Sequence, residues 1–116
     1  MWKIDNISYL SENGLVAYNI NIVNQDTQEG ILVKLPFIRL TRSIVINSLI
    51  RSRYSQDHVE AIINNHFLNI AEWLDKKFAG SEESFVDADY DELQNWRKEC
   101  KTLADEIIDM INEINA

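Results

Sequence analysis

Two histidines, a run of aspartates and a block of arginines are the residues here whose types could do chemistry. His58 and His66 stand eight residues apart on one stretch with helical apolar spacing. Side chains on a helix meet at spacings of three or four, and eight residues put the rings two turns apart, roughly 12 Å along the axis. They cannot share a metal or a proton within one chain. His66 lies beside the apolar stripe and reads as a partly buried core residue, while His58 reads as a solvated first-turn residue. Asp87-Ala88-Asp89-Tyr90-Asp91 begins like a calcium loop. That loop then needs Gly at its sixth position and Glu at its twelfth, where this chain has Glu92 and Lys98. The run reads instead as the acidic start of a helix.

Paired carboxylates such as Glu82 with Glu83, or Asp105 with Asp109, have no apolar setting that would raise a pKa for acid–base work. The three glycines are isolated, so no loop can cradle a phosphate, and no serine sits in a Gly-x-Ser-x-Gly turn. Cys100 is the sole cysteine, which excludes an internal disulfide and a cysteine zinc site in one chain. It reads as a small buried apolar residue. No motif supports an enzyme, and no catalytic residue, cofactor or metal is expected.

The arginines are more informative. Residues 1–31 hold one lysine and four acids, for a charge of −3. Residues 32–53 hold Lys34, Arg39, Arg42, Arg51 and Arg53 with no acid, +5; residues 54–116 hold five bases and fifteen acids, −10. A net charge of −8 argues against non-specific binding to nucleic acid or an anionic membrane. Acidic helices near the basic segment would partly neutralise it. Two helices joined near Tyr54-Ser55 would have helix-turn-helix connectivity, but the second would present Glu60 and Glu72 and no Lys or Arg before Lys76. Nucleic acid is therefore not the expected partner, although a binder acting through the 39–53 segment stays among the alternatives. A second alternative is an acidic protein that imitates a nucleic acid, with Glu82 to Glu92 and the outer face of the last helix as its surface.

The elements that must position these residues follow from periodicity. Residues 2–10 alternate loosely, Asn13-Gly14 is a hairpin signal, and residues 15–23 alternate cleanly with Val16, Tyr18, Ile20 and Ile22 on one face. Ile31, Val33 and Leu35 form a third run, stopped by Pro36. Residues 2–35 thus read as a three-stranded antiparallel meander needing a helical cover. Phe37 to Leu40 is ambiguous between strand and connector, and residues 42–53 favour helix over strand. Ser55 is an N-cap for a helix striped by Val59, Ile62, Ile63, His66, Phe67, Ile70, Leu74 and Phe78, closed by Gly80. After an acidic linker with Phe85 and Val86 as anchors, residues 89–115 carry Leu93, Trp96, Cys100, Leu103, Ile107, Met110 and Ile114 at alternating spacings of three and four. Asp89 with Glu92 has capping-box spacing. The fold expected is α+β, one domain over residues 1–116, with residues 42–115 helical and the last two helices an antiparallel hairpin.

Arg51-Ser-Arg-Tyr-Ser-Gln-Asp57, Ala61-Ile-Ile-Asn-Asn65 and Trp96-Arg-Lys-Glu-Cys-Lys101 together resemble small uncharacterised proteins of prophages and mobile elements, over the last two-thirds of the chain. The resemblance implies a genomic setting and no activity. The first residues lack the apolar run of a signal peptide, and no stretch reaches 18 uncharged apolar residues, so a cytoplasmic protein without a membrane partner is expected. The function expected is protein–protein interaction or assembly, with a protein partner or a homo-oligomer. Its candidate residues are Arg39, Arg42, Arg51 and Arg53 of the basic block with Trp96, Leu103 and Ile107 of the last stripe.

Overall fold

The computed structural model describes residues 1–36 and 40–114. Phe37, Ile38 and Arg39, and the last two residues, lie outside the described set. The architecture is α+β: strands β1 (Trp2–Glu12), β2 (Leu15–Asn24) and β3 (Gly30–Leu35) form an antiparallel sheet in the order β1-β2-β3. Helices α1 (Arg42–Arg51), α2 (Gln56–Phe78) and α3 (Ala88–Ile114) follow.

The hairpin turn takes positive φ at Asn13 (52°) and Gly14 (79°), the conformation that a two-residue Asn-Gly turn needs to match strand twist. The loose alternation of β1 has a local cause. Its register slips between Ile4 and Asn6, so Asp5 is an extra residue in a bulge. Ile4, Ile7 and Tyr9 consequently share one face, opposite Ile22, Ile20 and Tyr18. In β3, Ile31, Val33 and Leu35 continue that face by pairing with Ile22, Ile20 and Tyr18. The helices cover it, leaving Ile20, Ile22, Val33 and Leu35 buried.

α1 is helical despite Ile44-Val45-Ile46, because Val45 and Leu49, four apart, must both reach the sheet; both are fully buried. Thr41 caps it, its side chain accepting from Ile44 N. α2 is capped by Ser55, which accepts from His58 N. It ends in a Schellman turn, with Ser81 N donating to Lys76 O and Gly80 N to Lys77 O while Gly80 takes φ 98°.

α3 supplies the largest share of the core: Leu93, Trp96, Cys100, Leu103, Ala104, Ile107 and Ile111 are buried. Two sequence expectations are corrected here. The cap is Asp87, whose carboxylate accepts from Tyr90 N, two residues before the expected Asp89. The stripe also shifts by one residue at its end: Met110 and Ile114 are 37% and 42% exposed, and Ile111 is buried in their place. A strict seven-residue repeat holds only along a supercoiled partner. α3 packs on the sheet and on the short α1, so a straight helix of 3.6 residues per turn carries the buried stripe from Ile107 to Ile111.

α1 and α3 run in opposite directions. Arg42, at the start of α1, meets Asp105, and Arg53, just past its end, meets Glu92 and Trp96. α2 also runs against α3, since His66 stacks on Tyr90 beyond those contacts. The last two helices do pack together, but only over the first half of α2, where Val59 and Ile62 are buried. α3 begins at Ala88, so residues 67–78 run past its start as a projecting arm of about 18 Å. The molecule measures 63 × 28 × 19 Å with a radius of gyration of 18.4 Å. A compact chain of this length would have about 13 Å.

Candidate functional site

Of the arginines singled out by sequence, the structure brings two onto α3. Arg42 Nε donates to Asp105 Oδ1 at 2.8 Å. The pairing raises the Arg42 pKa and holds the Asp105 carboxyl below the usual carboxylate range, through the hydrogen bond first and charge second. Arg53 lies 4.8 Å above the Trp96 ring and 5.4 Å from that of Trp2, with Glu92 at 3.6 Å. Trp2 and Trp96 meet edge to face at 5.2 Å, so the guanidinium closes an aromatic cluster joining β1, α3 and the α1–α2 junction. Arg51 stands exposed beside a shallow cleft of about 560 Å³ that it shares with Lys34, Asn47 and Ser52. Arg39 lies outside the described residues.

Trp96, Leu103 and Ile107 are 2%, 3% and 0% exposed within a single chain. They hold the sheet, α1 and α3 together and have no surface to offer a partner. From Leu93 to Ile107 the stripe that suggested assembly is used up inside the molecule. Beside it, Trp96 Nε1 and Glu99 Oε2 are buried without a hydrogen-bond partner among the described residues, next to a cleft of about 470 Å³ that also touches Arg53, Glu92 and Asn95.

Two of the residues weighed for chemistry, His66 and Asp87, meet each other. His66 Nδ1 is 2.8 Å from Asp87 Oδ2, and Asn69 Nδ2 donates to the same oxygen at 3.1 Å. The bonds from His66 and Asn69 lower the Asp87 pKa, with the Tyr90 backbone N–H adding to them. The His66 ring stacks on Tyr90 at 3.5 Å and 7°, with Phe85 at 5.6 Å on another side. Trp73 Nε1 donates to Glu83 O at 2.8 Å. Residues 81–87 are thereby folded back along one side of α2, pinned at Trp73, Asn69 and His66. A histidine–aspartate pair orients an imidazole, but among the described residues no serine, threonine or cysteine is hydrogen-bonded to the ring. The pair is a tether for the linker. Phe85 anchors it as expected, whereas Val86 is 75% exposed.

Cys100 has no access to solvent, and burial with the neighbouring Glu99 charge pushes its thiol up to about 12. Among the described residues no three His, Cys, Asp or Glu side chains converge as metal ligands, and no helix is long and apolar enough to cross a membrane.

The feature that sequence reasoning missed is on α2. Its single apolar stripe divides in two. Val59, Ile62 and His66 face α3 and the linker, while Phe67, Leu74 and Phe78 are 65%, 40% and 89% exposed. Among the described residues this leaves a row of large apolar side chains open to water on a projecting helix, a surface that the chain's own packing does not explain. No family model, curated protein or solved structure matches the chain.

Proposed function

We propose that this chain is a protein–protein interaction or assembly module whose contact face is the uncovered side of α2. The observation carrying this reading is the exposure of Phe67, Leu74 and Phe78 on an arm that passes the start of α3. Phe and Leu side chains each yield on the order of 1.5–3 kcal/mol when removed from water, which a partner helix would supply. The arm is also built to stay in place. The linker pinned at Trp73 and His66, and the Schellman turn at Gly80, hold its other side. An ordered apolar face loses little entropy on association. The basic block supports the same reading over nucleic-acid binding, since Arg42 and Arg53 already face Asp105 and Glu92.

The experiment is light scattering of the wild type and of Phe67→Ser/Leu74→Ser/Phe78→Ser. These side chains are outside the core, so the variant keeps its thermal transition. Where copies of the chain assemble, the reading expects a mass above the 13.5 kDa of one chain that falls to that value in the variant. An assembly whose mass is indifferent to the three serines would refute it.

A further inference from the structure

The uncovered face has a pattern that selects its occupant. Ile63, Phe67, Ile70 and Leu74 recur at four, three and four residues, Glu60 precedes them by three and Lys77 follows by three. Glu60, Phe67 and Leu74 therefore take one core position of a heptad, and Ile63, Ile70 and Lys77 the other. The stripe is apolar in the middle with opposite charges at its two ends. Phe67 and Leu74 are exposed and Ile70 is half-buried, while Ile63, also half-buried, stands at the edge of the face where it packs partly against the chain's own core. Each end charge is steadied by its own helix: Gln56 Nε2 donates to Glu60 at 3.0 Å, and Lys77 Nζ sits 4.8 Å over the Trp73 ring.

We propose that a second copy of this chain covers the face, its α2 laid antiparallel on the first about a two-fold axis between residues 68 and 69. Resting on the interaction reading above, this names the partner and the register. In that arrangement Phe67 packs on Ile70 of the second copy, Ile63 on Leu74, and Glu60 meets Lys77, every pair occurring twice by symmetry. Charge decides between the alternatives. Parallel pairing in register sets Glu60 on Glu60 and Lys77 on Lys77. An antiparallel slip by one heptad sets either Glu60 on Ile70 or Lys77 on Phe67, an unpaired charge against an apolar side chain. The register with both ends matched is the one that avoids these costs. It also sends the two sheets to opposite ends of the dimer, because each sheet lies beyond the α3-covered half of its own α2.

From Glu60 to Lys77 the contact spans about 25 Å of helix. Two helices touching over that length bury less than the roughly 1,200 Å² at the low end of stable interfaces, so the dimer is weak and dissociates in the micromolar range.

The test is sedimentation of Lys77→Glu and of Glu60→Lys/Lys77→Glu at low salt, beside the wild type and the triple serine variant. Lys77→Glu turns both end pairs repulsive and weakens self-association about tenfold or more; the double variant, with the charges exchanged, restores it. Wild-type dimers broken by the serines but indifferent to both charge changes would overturn the register and leave the interaction face standing. Dimers indifferent to the serines as well would overturn both. A wild type that stays monomeric at its highest soluble concentration would overturn the second copy as occupant.

Discussion

Met110→Ala and Ile111→Ala, two neighbouring truncations near the end of α3, separate the observed packing from a coiled-coil seam. A strict heptad puts Met110 in the core; the structure exposes it at 37% and leaves Ile111 only 6% exposed. Ile111→Ala removes three carbons. At about 0.8 kcal/mol per buried carbon, with part of a cavity term added, the loss is about 2–3 kcal/mol. Met110→Ala truncates a side chain at the rim that keeps over a third of its surface in water and leaves no closed cavity, and costs under about 1 kcal/mol. For a chain of this size each kcal/mol moves the thermal midpoint about 4 °C, so Ile111→Ala melts about 10 °C below the wild type while Met110→Ala stays near it. Urea unfolding reports both, followed by tryptophan fluorescence because Trp2 and Trp96 are buried against each other. It is run on dilute protein to keep association out of the reading. Equal losses at the two positions, or a larger one at Met110, would refute the straight-helix account of α3.

Three further outcomes are expected. Leu103→Asp places an unpaired charge at a 3% exposed site and abolishes the cooperative transition; circular dichroism with an unchanged melting curve would show the buried face to be misassigned. Asp87→Asn removes a carboxyl whose folded-state pKa is depressed, first by the hydrogen bond from His66. A depressed carboxyl stabilises the fold above its unfolded pKa and loses that contribution as pH falls through the folded value. The stability gap between wild type and variant is therefore full at neutral pH and closes only in acid, below the ordinary carboxylate range; a gap independent of pH would contradict the tether. Cys100, with its thiol pushed up to about 12 and no exposure, resists a thiol-reactive disulfide reagent at pH 8 until denaturant is added; fast labelling of native protein would contradict its burial.

The sheet was legible because its signals are local. Alternation along residues 15–23, Asn13-Gly14 at the turn and Pro36 after the last strand each act within a few residues. The helices were legible through their stripes, and so was the burial of Leu93, Trp96, Leu103 and Ile107. The parts that failed depend on distant partners. Asp87, Asp89 and Asp91 are chemically alike, and His66, twenty-one residues before Asp87, accompanies the one that caps α3. Arg53 reads from sequence as one of a basic block, whereas its environment is set by Trp2 near the start of the chain and by Glu92 and Trp96 of α3. The apolar stripe of α2 looks the same in sequence whether α3 or another molecule covers it. Only the shared level of His66 and Tyr90 shows that α3 starts too late to reach Leu74 and Phe78.

Small-angle X-ray scattering over a dilution series tests most directly whether α2 is a projecting arm that finds its cover in another molecule. At infinite dilution the account predicts an elongated monomer, with a radius of gyration near the 18.4 Å of the folded chain and a longest dimension of at least 63 Å, and a mass that climbs as concentration rises. A dilute radius near the roughly 13 Å of a compact chain, or a mass that does not change with concentration, would contradict it.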